Sequence, residues 1–194
     1  MELRKQIIEA VNLKQLILDD PLVFINLKRC IDILVMAYRN ENKVLFCGNG
    51  GSAADAQHLA AELSGRYYFD RQPLNAEALH VNTSFLTAVS NDYSFEKAYE
   101  RLVFAWGKKD DVLMAFSTSG NSPNIVNALQ AAKKLGMHTV GFTGKEGGTI
   151  NPLCDLLFKV PSTDTPRIQE VHIMLGHIIC ENVEKILFGG NETN

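Results

Sequence analysis

Apolar positions in this chain follow two periods. Leu3, Ile7, Ile8, Val11, Leu16 and Ile17 recur at roughly helical spacing, and a second such run covers 22–38 after the start signal Asp20-Pro21. Both predicted helices precede any strand. The continuous apolar run 43–47 then reads as a buried strand, followed by a glycine turn and a helix over 52–64 with Ser52 as its N-cap. The unit recurs: 76–81 and 111–116 read as strands, and 123–135 reads as a helix stopped by Gly136. Strands at 138–142 and 156–160 complete the set. A long last helix starts at Thr165-Pro166 and runs to about Phe188, before Gly189-Gly190, and the last four residues read as a tail.

Five short apolar strands separated mostly by helices predict an α/β fold with a parallel sheet and helices on both faces, because parallel neighbours need crossover connections. A length of 194 residues, 46% hydrophobic, fits one globular domain over 1–194 with an α/β core at 41–188. The two amphipathic helices of 1–40 fit either a subunit interface or a covered sheet face. A formal charge of −3 argues against broad charge-driven binding to nucleic acid or membrane. No run spans a bilayer, since the apolar stretch near Ile173 to Cys180 is broken by His172 and His177. The N-terminus lacks the basic-then-apolar order of a secretory signal. The four cysteines, Cys30, Cys47, Cys154 and Cys180, form no CxxC pair, which leads to the expectation of reduced thiols in a cytoplasmic protein.

Two loops carry candidate chemistry. Gly48-Asn49-Gly50-Gly51-Ser52 and Ser117-Thr118-Ser119-Gly120-Asn121-Ser122 each follow a strand and open a helix. Helix N-termini offer backbone N–H groups and a positive dipole end, glycine admits close approach, and hydroxyls add donors, so both loops suit a phosphate. The first also satisfies G-x-G-x-x-A, but a dinucleotide site needs an acidic residue closing the next strand, which here ends Leu79-His80-Val81-Asn82. No Gly-Lys-Ser/Thr follows either loop, which excludes a Walker-type site. Both nucleotide readings rank below a site for a small phosphorylated sugar. Beside the first loop, His58 and Glu62 share a helix face at i,i+4, and Gln169 and His177 lie within about a quarter turn of one stripe on the last helix. His58 and Glu62 alone would equally make a surface ion pair, and His172, which points elsewhere, reads as packing.

Taken together, the segments 47–58, 61–67, 90–93, 117–122 and 166–172, in this order over nearly the whole chain, resemble the phosphoheptose isomerase family of sugar isomerase (SIS) domains. The resemblance implies a three-layer sandwich around a five-stranded parallel sheet, a homotetramer with active sites between subunits, and conversion of sedoheptulose 7-phosphate to D-glycero-D-manno-heptose 7-phosphate through an enediol. It implies that Ser117, Thr118, Ser119 and Ser122 cradle the phosphate, and that Asn49, Gly50, Gly51, Ser52, Asn91 and Asp92 line the sugar. Glu62 and His177 match the proton-transfer residues, while His58, Glu62, Gln169 and His177 match the zinc-holding positions, with Glu62 and Gln169 also touching substrate. Arg66 is a further candidate, reaching a neighbouring subunit's site. Some similar proteins use this fold to bind partners without catalysis, and others isomerise different sugar phosphates. The non-catalytic ones lack part of the proton-transfer set, which is complete here. Whether the heptose feeds lipopolysaccharide, capsule or glycoprotein is set outside this chain.

Overall fold

A computed structural model describes residues 2–191, so 192–194 of the predicted tail lie outside the described residues. Five strands, β1 (Val44–Gly48), β2 (Ala76–Ala78), β3 (Val112–Phe116), β4 (His138–Thr143) and β5 (Leu156–Lys159), form one parallel sheet in the order β2-β1-β3-β4-β5. Seven helices are described: α1 (Glu2–Leu18), α2 (Pro21–Arg39), α3 (Gly51–Ser64), α4 (Thr83–Asp92), α5 (Ala98–Trp106), α6 (Pro123–Leu135) and α7 (Thr165–Phe188). The sheet is the middle of three layers. Strand alternation sends Val44, Phe46, Val112, Met114 and Phe116 into one core with α1, α2, α3 and α7. Leu45, Cys47, Leu113 and Ala115 enter the other, with α5 and α6. Both sides of the central strands are fully covered, which is why they read as continuous apolar runs.

Helix ends follow local chemistry. Asp20 caps α2 by accepting from Leu22 N, and Gly136 closes α6 in the left-handed conformation, φ 73°. Four expectations need correction, the fourth at Asp111. Gly50, not Ser52, is the residue before α3, because φ 55° suits glycine there and draws Gly51 into the helix. β2 stops at Ala78, since Leu79 and His80 turn toward Asn82, which caps α4 through Phe85 N. The stretch 83–106, given no element from periodicity, holds α4 and α5.

Asp111 precedes β3 and does not belong to it. Its carboxylate, 1% exposed, takes Lys43 Nζ at 2.6 Å and also accepts from Lys43 N, Lys108 N and Asn42 Nδ2. Burial pushes its pKa up, but the bonds from Lys43, Asn42 and Lys108 outweigh that and leave it below the ordinary carboxylate value. A carboxylate depressed in the folded state stabilises above its unfolded pKa, and that contribution is lost as pH falls through the folded value. Asp111→Ala is expected to destabilise the chain by about 3–5 kcal/mol at neutral pH, because Lys43 is left unpaired. Urea unfolding checks this, with a wild-type midpoint as the contrary outcome.

Candidate active site

In the order β2-β1-β3-β4-β5 the chain leaves β1 toward one edge and β3 toward the other, which opens a crevice beyond their carboxyl ends. Both candidate loops lie there. Gly48 O accepts from Tyr99 OH at 2.6 Å, and a Cβ at Gly48 would collide with Ser52 O, so the first loop turns tightly onto α3. Asn49 and Asn124 exchange both amide bonds, at 2.9 and 2.8 Å, and tie this loop to the start of α6. The half-buried Asn49 side chain is thus held in one orientation at the mouth of the crevice. Gly50 and Gly51 are exposed, and Ser52 is buried against Gln169.

The second loop is held from both sides. Ser117 Oγ and Ser122 Oγ lie 3.1 Å apart, and Ser122 precedes α6 without capping it through its hydroxyl. The first turn of α6 therefore keeps its dipole directed at the loop. Ser117 is buried, Thr118 and Ser122 are half-buried, and Ser119 is exposed, with its Oγ accepting from Asn121 N. The segment after β4 braces the loop: Gly144 N donates to Thr118 O, Ile150 N to Gly120 O, and Thr149 to Asn121 Oδ1 through both N and Oγ1.

At the other end of α3, His58 Nε2 lies 3.0 Å from Glu62 Oε1 and 3.4 Å from His177 Nε2. The three donor atoms lie within 4.8 Å of one another. Gly176 permits this closeness: a Cβ there would strike Leu59 and push α7 away from α3. Burial, then His58, pulls the pKa of His177 below its usual value, with Glu62 opposing, so its imidazole is neutral near pH 7. Two histidines and a carboxylate, His58 exposed and the other two half-buried, are a donor set for a divalent metal. Metal–ligand bonds of about 2.0–2.1 Å in a tetrahedron separate ligand atoms by about 3.3–3.4 Å, close to the spacing between the two ring nitrogens.

Other predicted residues lie apart from this cluster. Gln169 is two turns before His177, about 12 Å along α7, with its amide against Gly51 and Ser52. It faces the loop end of α3. Asn91 and Asp92 bond each other at the exposed end of α4, and Arg66 is exposed just past α3. His172 packs edge-on to Phe116 and Phe142 with Nε2 3.2 Å from Thr143 O, as its packing assignment requires. Sequence spacing missed Tyr67, whose ring centroid lies 6.1 Å from that of His177. It also missed Asp55, one turn before His58, where burial raises the pKa to about 6 against the pull of His58. An aspartate at i−3 from a candidate ligand was the only signal for the latter.

A switch-point crevice flanked by a hydroxyl loop and a glycine loop defines a sugar-phosphate domain of the SIS type, and residues 24–144 match the family model described as "SIS domain". A phosphoheptose isomerase from Clostridium acetobutylicum is 51% identical over 184 residues, 95% of this chain and 94% of that protein. The solved phosphoheptose isomerase of Neisseria gonorrhoeae superposes with TM-score 0.89 at 40% identity, covering 95% of this chain and 97% of that one. The enzyme of that name from Francisella tularensis gives 0.90 at 31%, with the same coverage. This chain belongs to the SIS-domain family and, within it, to the phosphoheptose isomerases, which are aldose–ketose isomerases. Among the described residues, no helix is long and apolar enough to cross a membrane.

Proposed function

We propose that this chain interconverts sedoheptulose 7-phosphate and D-glycero-D-manno-heptose 7-phosphate, with Glu62 and His177 moving the protons. One observation carries this most: a carboxylate and a neutral imidazole from different helices converge on His58, in a protein whose phosphate-type loops are fully formed. Ser117, Thr118, Ser119 and Ser122 hold the phosphate with the start of α6. Asn49, Gly50, Gly51, Ser52, Asn91, Asp92 and Gln169 line the sugar. Glu62 takes a proton from carbon 1 and, after exchange with solvent at the enediol, delivers a proton to carbon 2. His177 carries a proton from oxygen 1 to oxygen 2, so the carbonyl moves by one carbon with no net gain or loss of atoms.

His58, Glu62 and His177 would hold zinc, with Gln169 as a fourth ligand once its side chain swings from Ser52. Bound there, zinc would polarise the substrate carbonyl and offset the enediolate's charge. A carboxylate held by a cation is a weaker base, so Glu62 serves as ligand and as base in different states.

The site is shared between copies of the chain. Glu62 lies eleven residues past Gly51, about 16 Å along α3, so the proton-transfer pair and the loops stand at opposite ends of one helix. α1 and α2 expose Leu3, Ile7, Val11, Leu22, Phe24 and Ile25, which need cover. A homotetramer that buries this face and brings a neighbour's Glu62 and His177 to the loops answers both, and Arg66 beside Glu62 would follow them. The buried Cys30, Cys47 and Cys180 and the half-buried Cys154 are all free, which suits the cytoplasm.

Purified protein incubated with sedoheptulose 7-phosphate is expected to form the aldose, with pentose and hexose phosphates turned over far more slowly. Light scattering is expected to give four times the chain mass. No aldose from the heptulose would refute the substrate assignment.

A further inference from the structure

The end of α3, which carries Glu62, is tied to α7, which carries His177, by a buried ion pair that the reaction itself does not use. The last carbonyls of a helix have no partners within it. Arg71 folds back to supply three of them: its Nη2 donates to Glu62 O at 3.0 Å and its Nη1 to Leu63 O at 2.9 Å and Gly65 O at 3.2 Å, while Nη1 also donates to Gln72 O, the next residue along, at 3.0 Å. Its Nε donates to Glu184 Oε1 at 2.7 Å, and the two side chains are 2% and 1% exposed.

Glu184 is satisfied from the same segment. It accepts from the backbone N–H groups of Tyr67 at 2.8 Å, Tyr68 at 2.6 Å and Phe69 at 3.1 Å. Burial raises its pKa, but these three donors and Arg71 outweigh that, so it is held ionised below its ordinary value. Glu184 stands seven residues past His177, about 10 Å further along α7 and within about 20° of the same stripe. The Arg71 guanidinium also lies over the Phe188 ring, 5.3 Å from its centroid. Thus one carboxylate on α7 gathers the strap 65–71, and one guanidinium on that strap grips the carbonyl of Glu62 itself.

We propose that Arg71 and Glu184 are positioning residues, a clamp that fixes where Glu62 and Tyr67 stand relative to His177. This rests on the assignment of Glu62 and His177 as the working pair. A buried ion pair is a poor way to gain stability alone, since apolar packing of the same volume does as well. What the pair adds is direction: four carbonyls and three N–H groups are met by two rigid, planar groups, so the strap has one register against α7. The clamp holds the main chain behind the metal donors and not the donor groups themselves, so its loss is expected to fall toward the lower end of the roughly tenfold to hundredfold that losing a ligand's direct partner costs.

The test uses the full-length protein with Glu184→Gln, which keeps the shape but presents an NH2 to backbone donors, and Arg71→Lys, which keeps the charge and loses the fork. Four quantities are read: kcat and KM for sedoheptulose 7-phosphate, affinity for zinc alone by calorimetry, inhibition by inorganic phosphate, and Tm. Glu184→Gln is expected to lower both kcat and zinc affinity by about tenfold or more. KM and phosphate inhibition are expected to stay within about twofold, because the loops are untouched, and Arg71→Lys is expected to fall between. A folded Glu184→Gln protein with reduced Tm but wild-type kcat and zinc affinity would overturn the clamp and leave only a structural pair. If that variant does not fold, Arg71→Lys decides, and wild-type values in it overturn the proposal equally. A wild-type protein that binds zinc yet converts no heptulose would sink the substrate assignment alone, and the zinc arm would still test the clamp.

Discussion

Glu62→Gln is expected to lower turnover by on the order of a hundredfold or more, with little change in phosphate affinity. Glutamine keeps the length and shape of glutamate and still reaches His58, whose Nε2 lies 3.0 Å from Glu62 Oε1. What it loses is the basic oxygen to which the proposed mechanism assigns the carbon-bound proton. The phosphate loop opens α6 and is tied to the far end of α3 through the Asn49–Asn124 pair, so competition by inorganic phosphate should be unaffected. Steady-state kinetics with and without phosphate separate the two effects. A variant that turns over at near-normal rate would remove Glu62 from proton transfer, however well it sits beside His58.

Gly120→Ala is expected to weaken binding of the sugar phosphate by tenfold or more, equivalent to about 1.4 kcal/mol, with a lowered Tm. Gly120 has φ 68°, and a Cβ there would run into Gly147 O and the backbone of Gly148. Those neighbours are main chain, so relief requires the two loops to part. Parting breaks the bond from Ile150 N to Gly120 O and loosens Asn121, whose Oδ1 holds Thr149. The loop that presents Ser117, Thr118, Ser119 and Ser122 would lose its brace while the helices that carry Glu62 and His177 stay in place. KM should therefore rise more than kcat falls. An unchanged KM would mean that the loop does not hold the phosphate.

Much of this architecture was legible along the chain because local chemistry and burial agree there. Strands covered on both faces are unbroken apolar runs, and caps such as Asp20 and Gly136 stand at the ends they close. α4 and α5 were not, since α4 buries only Val89 and α5 is a nine-residue helix whose exposed Phe104 and Trp106 sit beside its buried positions. The pairing of His58 with Glu62 follows from four-residue spacing, and His177 could be placed only by resemblance, because α3 and α7 are more than a hundred residues apart. The same distance hid the bond between Arg71 and Glu184. Nothing near Asn49 announced that Asn124, on α6, binds its amide. Contacts that depend on how helices cross a sheet leave no local periodicity to find.

The central claim, that a carboxylate moves a proton between adjacent carbons of a heptose phosphate, is tested most directly by running the reaction to equilibrium in deuterated water. NMR would then read carbon 2 of the aldose. Proton transfer through an enediol predicts deuterium at that carbon in the wild-type product and next to none formed by Glu62→Gln in the same time. Complete conversion with only protium at carbon 2 would contradict it, since hydrogen would then have passed between the carbons without meeting a base that exchanges with solvent.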